Sequence, residues 1–416
     1  MLAVAQFHAP LPLTNTIQRY DWGSVDAIPS LLRAEPDGEP QAEMWLGAHA
    51  SAPSVSRISR DGEVDHVALD RLVREAPVQT LGHRVAEQFG PRLPYLLKVL
   101  AARKALSLQV HPSPRQAREG FARENKAGMP LTSPKRSFKD DQHKPEMIVA
   151  LSQFEGLAGF RTPRTILDVL DGLAGKMVDS VRSALLHDRS HDGMREAFNH
   201  LLSARADEAC AADIQATLDS VRARLAAGSP FERADRTVID LAEQHPGDPG
   251  AIASLMLNRF SLEPGEAAFT PAGVVHAYLS GLGVEIMASS DNVLRAGLTT
   301  KLVDEENLVA CTSFAPQQPS APEISTAGSR GQVHTYRVPV TEFALTTADV
   351  DPSEPVTLPA TGPRILLCLD GELELAADRA EDGPQRLVQG DSVFVPHDAG
   401  NLELSGAGHA VCAWVP

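Results

Sequence analysis

Gln109 and His111 stand two residues apart in Leu106-Ser107-Leu108-Gln109-Val110-His111-Pro112, and that spacing is where chemistry first shows. Side chains of an extended chain alternate between faces. Leu106, Leu108 and Val110 therefore share one face, and Ser107, Gln109 and His111 share the other. Farther on, Gly265 and the turn Pro271-Ala272-Gly273 lead into His276, a second strand-borne imidazole. His143-Lys144-Pro145-Glu146 adds a carboxylate. Two imidazoles with a carboxylate suit Zn, Fe, Mn or Co far better than Ca or Mg. Gln109 would contribute an amide oxygen, a weak ligand that leaves the ion electrophilic. Structural zinc sites are usually closed and Cys-rich, so a shell of Gln109, His111, Glu146 and His276 keeps positions open for water or substrate. Singly, each histidine reads as an ordinary strand-end residue. Jointly, the three pieces predict one mononuclear metal site inside a β-barrel.

Two further stretches offer charge and ring surface. Pro145 favours an extended backbone before it, so Lys144 and Glu146 can point the same way, one to substrate and one to metal. Asp291-Asn292-Val293-Leu294-Arg295-Ala296-Gly297-Leu298-Thr299-Thr300-Lys301 follows a strand. Arg295 brings a planar fork and Lys301 a point charge, the two usual ways to hold phosphate. Trp22 and Trp45 each sit near a glycine, with core packing the first reading and a sugar-facing wall the second. The histidines without a partner spacing, His49 among them, read as surface or capping residues.

The elements that must position these groups are mainly strands. From about residue 13 to 162 short apolar runs are broken by Pro, Gly and Asp. Pro94-Tyr95-Leu96-Leu97-Lys98-Val99-Leu100 and Ala105-Leu106-Ser107-Leu108-Gln109-Val110 read as paired strands around Ala101-Ala102-Arg103-Lys104. The polar segment 113–141 is a long loop, functional or partly helical. At Pro163 the period changes. Ile166, Val169, Leu170 and Leu173 recur at helical spacing, as do Val178, Val181 and Leu185; Ile214, Leu218, Val221 and Leu225; and Val238, Leu241 and Ala242. A helical insertion over 163–260 is predicted. Strand texture resumes at Glu266, a Pro-rich linker follows at 315–322, and strands and turns continue to residue 416. Gly390 to Pro396 echoes Gly265 to Pro271, but five residues past the proline Asn401 replaces His276. Two related barrels are expected, only the first keeping its ligand.

Composition narrows the partners. The chain has 416 residues, enough for two or three domains, with 43% hydrophobic and 22% charged residues as in soluble globular proteins. A formal net charge of -16 disfavours nucleic acid and anionic membranes, though a pocket can still be locally basic. No apolar run approaches the roughly 20 residues needed to span a bilayer. Residues 1–13 show neither a basic nor a long apolar region, so a signal peptide is not expected. Four scattered cysteines with no CxxC spacing suit a reducing cytoplasm and argue against a thiolate metal site. The length and many helices are compatible with a monomer.

At these motifs the chain closely resembles the type I mannose-6-phosphate isomerases (phosphomannose isomerases), members of the cupin superfamily. The likeness runs through 20–24, 42–48, 94–112, 141–146, 271–285 and 290–304, about three-quarters of the chain. It implies two cupin or jelly-roll barrels plus an all-α domain. Residues 1–162 and 261–320 would form the catalytic cupin, 163–260 the helical insertion, and 321–416 a second jelly roll lacking ligands. It also implies one Zn2+ on Gln109, His111, Glu146 and His276, and a small phosphorylated sugar held by Ser107, Lys144, Tyr278, Glu285, Asp291, Arg295 and Lys301. Lys301 and Ser107 would anchor phosphate beside Trp22, and Arg295 would stabilise an anionic intermediate. For the base that takes the carbon-bound proton, Glu285, Asp291, Lys144 and His143 stay open. Gln142 stands where many members have Asn, and Asp21 where a small residue is common, neither at a ligand position. A cupin Fe(II) oxygenase and a non-catalytic sugar-phosphate binder are the competing readings.

Overall fold

The strand His276–Ala288 organises the site-bearing sheet because it pairs with different partners along its length. In this computed structural model, which describes residues 7–60 and 63–416, residues 281–288 pair antiparallel with Tyr95–Ala102 on one side. Residues 283–287 pair with Glu146–Ala150 on the other. Residues 276–280 pair instead with Phe154–Phe160, and His276 lies opposite Gln109 of the short strand Leu108–Val110. The exchange falls at Gly281, whose φ is +121° and where a Cβ would lie 2.7 Å from the Gln153 carbonyl oxygen. Only glycine fits that turn of the backbone. Residues 1–6, part of the stretch read for a signal peptide, lie outside the described residues.

The expected hairpin around residues 101–104 does not form. Tyr95–Ala102 and Leu108–Val110 both pair with the long strand rather than with each other. The second strand begins only at Leu108. Leu106 consequently leaves the shared apolar face of Leu108 and Val110 and packs in the cluster that holds Tyr278. The polar segment after it is partly helical, over Pro114–Lys126, with Ser113 and Gln116 closing a reciprocal capping box.

The helical insertion starts at Pro163, where Thr162 caps the first turn by accepting from the Thr165 amide. Helices Pro163–Leu170, Lys176–His187, His191–Ala204, Cys210–Ala226 and Glu232–Gln244 follow before the strand Leu257–Leu262. Their predicted stripes are buried, Leu225 only partly. The same core takes in Leu108, Val110, Leu157, Phe160, Val275 and Leu294. The helices thus pack on the back of the strands that carry Gln109, His111 and His276, stiffening the ligand positions.

A second sheet covers the other side. Arg364–Ala377 and Leu402–Trp414 form its long antiparallel pair. Leu11–Thr14, read from sequence as part of the first unit, pairs here with Ser392–Val395 and with Val55–Arg60. Apolar residues of both sheets, Leu97, Val99, Met147 and Ile286 with Leu345, Ile365, Phe394 and Val411, share one buried cluster. The architecture is mostly strand, in two sheets, with helices.

Candidate metal centre and active site

His111 lies just past Leu108–Val110 and is fully buried. Its Nδ1 donates to the Asn292 carbonyl at 2.8 Å, which places the ring proton there and leaves Nε2 as a lone pair. The turn Pro271-Ala272-Gly273 docks beside it, the Gly273 amide donating to the His111 carbonyl at 2.9 Å. Gly273 has φ +84°, the left-handed region glycine tolerates. His276 Nδ1 is likewise committed, to the Val274 carbonyl at 2.9 Å. Glu146 opens its strand opposite Thr270 and projects between the rings.

These three side chains converge. His111 Nε2 lies 3.2 Å from Glu146 Oε1, and His276 Nε2 lies 3.2 Å from Glu146 Oε2. One donor atom from each falls within 4.8 Å of the others. Zinc bound at about 2.1 Å in tetrahedral geometry separates its donors by roughly 3.4 Å, which matches. His111 Nε2 is buried without a hydrogen-bond partner, an orphan that a metal would satisfy. Gln109 faces His276 across the strands, its amide nitrogen donating to Ser107 Oγ at 3.1 Å. The residues present therefore fit a zinc ion with coordination positions to spare.

Electrostatics favour the same occupant. Burial, reinforced by the Lys144 charge, pushes His111 down to about 4, so its ring is neutral near pH 7. Burial would raise Glu146, but the Lys144 ammonium and the contacts with His111 and His276 together outweigh it and hold the carboxyl well below its usual range. Lys144 Nζ stands 2.6 Å from Glu146 Oε1. Behind them, Lys98 sits across the strands from both Trp45 and Glu285. Its Nζ lies 3.0 Å from Glu285 and 3.5 Å from Glu43. Burial works against this ammonium, yet Glu285 and Glu43 keep it charged. Around the cavity three carboxylates (Glu43, Glu146, Glu285) face two ammonium groups (Lys98, Lys144), a net charge of one minus. A divalent cation would turn that balance positive, as an anionic substrate requires.

Ser107, Gln109, Lys144, Glu146, His276, Tyr278 and Glu285 all line this cavity. The buried Tyr278 hydroxyl also lacks a well-formed hydrogen bond. The remaining predicted residues lie around it. Arg295 is the strand partner of Gln109. Burial and the nearby Arg295 charge lower the Lys301 ammonium, and among the described residues neither cation forms a salt bridge. Trp22 stacks on Tyr20 at 5.7 Å and packs in the cluster with Tyr278. Asp291 is half-exposed, 3.4 Å from His49 Nε2.

The structure corrects two sequence readings here. His49 is a buried residue set edge-on against Trp45, not a surface or capping one. His143, a candidate base, sits outside the cavity lined by Glu146 and His276, with Nε2 2.6 Å from Glu342. Sequence reasoning also missed Glu43, Asp140 and Asn292. Buried Asn292 ties residues 139–142 together, accepting from the Lys139 amide and donating to the Asp140 and Gln142 carbonyls. Glu43 and Asn292 fall within the resembling segments 42–48 and 290–304, but no local signal marked either of them, or Asp140, as part of the site.

Comparison with known proteins now decides the lineage. Residues 11–163 match the catalytic domain of type I phosphomannose isomerase. The chain is 37% identical over 402 residues to the mannose-6-phosphate isomerase of Salmonella typhimurium, covering 95% of this chain and 97% of that protein. The chain belongs to the type I phosphomannose isomerase family. The human mannose-6-phosphate isomerase is 30% identical over 409 residues, covering 92% of each chain. A zinc-bound crystal structure of a mannose 6-phosphate isomerase superposes with TM-score 0.84 at 34% identity, over 98% of this chain and 99% of that one. Membership in this family does not favour the Fe(II) oxygenase or the non-catalytic binder.

Proposed function

We propose that this protein interconverts D-mannose 6-phosphate and D-fructose 6-phosphate, a zinc-dependent aldose–ketose isomerisation through a cis-enediol. The observation that carries this reading is the buried His111–Glu146–His276 cluster, open toward a cavity with two lysines, in a chain of this family. His111, Glu146, His276 and Gln109 would hold the ion. When bound, zinc supplies Lewis acidity where negative charge develops next to the carbonyl, worth roughly several kcal/mol.

The chain's own groups then divide the remaining work. Arg295 and Lys301 form no salt bridge among the described residues, Arg295 pairs with Gln109, and with Ser107 the two cations take the phosphate and the anionic intermediate. Holding that remote group fixes the reacting carbons against the site. Lys144 donates toward substrate oxygen while pinning Glu146. Glu285 is the group we assign as base. It lines the cavity, and burial raises its pKa toward neutrality, as a general base requires. Asp291 is held low by its His49 hydrogen bond and suits charge placement better than proton abstraction. Tyr278 presents its hydroxyl to the same space, and Trp22 walls the sugar.

The domain reading belongs to this proposal. Residues 1–162 and 261–320 would make a catalytic cupin barrel, 163–260 an all-α unit, and 321–416 a second jelly roll. The echo supports it: Ser392–Val395 and Leu402–Trp414 repeat the order of Ala267–Thr270 and His276–Ala288. Asn401 there is bound to Asp378 instead of joining a ligand cluster. Four free, buried cysteines support a cytoplasmic setting, and a monomer is the simplest assembly. A coupled assay on chelated and zinc-restored protein tests the function; loss on chelation and recovery with zinc is expected.

A further inference from the structure

Lys144 is positioned by a span of chain that its own sheet does not hold. On one side, residues 139–142 are secured by Asn292 and by Asp140, whose carboxylate accepts from Ser290 Oγ and the Asp291 amide at 2.8 Å each. On the other, the Pro145 carbonyl accepts from the Ala288 amide, and Glu146 enters the strand pairing. Between these anchors, among the described residues, no hydrogen bond fixes the backbone amide or carbonyl of His143 or Lys144. Two side-chain contacts do the work. Lys144 reaches inward to Glu146 at 2.6 Å. His143 reaches outward to Glu342 Oε1, also at 2.6 Å, across 199 residues of sequence.

Glu342 is itself immobilised. Its second oxygen accepts from the Thr341 amide at 3.0 Å, and the strand Ala344–Val350 of the second sheet begins two residues later. The pair is mostly buried, with side chains 19% and 16% exposed. Burial alone would raise the Glu342 carboxyl, but its bond to His143 keeps it below the usual value. A hydrogen bond to a carboxylate this short and sheltered is among the stronger side-chain contacts.

We infer that Glu342 is a positioning residue for the isomerase reaction: through His143 it braces the unheld span that carries Lys144 into the cavity beside Glu146 and His276. The inference rests on the isomerase reading above. It gives the second sheet a task although that sheet supplies no group to the cavity. Glu342 touches neither the reacting atoms nor the metal ligands, so its removal acts on how well Lys144 is aimed. Small misplacements of a binding group cost rate steeply.

The test is steady-state kinetics with mannose 6-phosphate on zinc-loaded parent, Glu342→Ala, Glu342→Gln and His143→Ala proteins. We expect Glu342→Ala to lower kcat/KM about tenfold, chiefly through KM, with zinc content unchanged. Glu342→Gln keeps an acceptor oxygen for His143 and should recover most of the loss. His143→Ala cuts the same contact from the other end, so it should match Glu342→Ala, and the double variant should be no worse than either. If Glu342→Ala does not fold, His143→Ala alone decides. Kinetics within twofold of parent for the folded alanine variant, or an additive double variant, would overturn the brace. An inactive zinc-loaded parent would instead overturn the isomerase reading itself.

Discussion

The Asn292 main-chain carbonyl accepts from His111 Nδ1 at 2.8 Å, joining residues 181 apart in sequence. The Asn292 side chain simultaneously gathers the loop that leads to Lys144 and Glu146. One fully buried residue therefore sets both the tautomer of His111 and the path of the chain toward Lys144.

Replacing Asn292 with Ala should loosen that loop and the orientation of His111. Alanine keeps the main-chain carbonyl that His111 bonds, so the effect comes through the lost side-chain ties to residues 139–142, and about a tenfold loss of zinc affinity, the low end for outer-shell changes, is expected. Zinc competition against a chromophoric chelator measures it. Parent-like affinity would show that the loop is held some other way.

Glu285→Gln keeps the shape of the side chain but removes the proposed base. We expect kcat to fall by about 10²- to 10⁴-fold with zinc still bound. The pH profile carries a sign as well. Burial raises the Glu285 pKa, so the group stays protonated to higher pH than an ordinary carboxyl. Activity should rise with pH on an acid limb lying above the usual value of 4.5, and that limb should vanish from the residual rate of Glu285→Gln. A limb that persists unchanged assigns the base elsewhere.

Lys98→Met leaves Glu43 and Glu285 buried without their counter-charge. Breaking a buried pair from one side costs about 3–5 kcal/mol, so the urea midpoint should drop sharply. A midpoint equal to the parent's would mean that the carboxylates take up protons at little cost.

Arg295 and Lys301 should separate kinetically. Lys301→Ala, which removes the proposed phosphate contact, should raise KM for the sugar phosphate about tenfold or more with kcat nearly kept. Arg295→Ala should lower kcat itself, because the charge it meets develops in the transition state. Equal effects on both constants in both variants would contradict that division.

Much of the site was legible because its signals are local. Alternation gave Gln109 and His111 one face, the Pro-Gly turn announced His276, and a proline set Lys144 and Glu146 together. The helical insertion was legible because its apolar period changes at Pro163. What stayed hidden depends on pairing across long separations. Nothing local tells that His276–Ala288 exchanges partners at Gly281, or that Leu11–Thr14 joins the second sheet. His49 and His143 went astray for the same reason: their partners Asp291 and Glu342 lie roughly two hundred residues or more away.

The central claim is that four side chains hold one zinc ion on which turnover depends. Metal analysis of the purified protein together with the coupled mannose 6-phosphate assay, before and after chelation, tests it most directly. We predict one zinc per chain, loss of activity on chelation, full recovery with one equivalent of zinc, and neither binding nor recovery in His276→Ala. Undiminished turnover by metal-free protein would contradict the account.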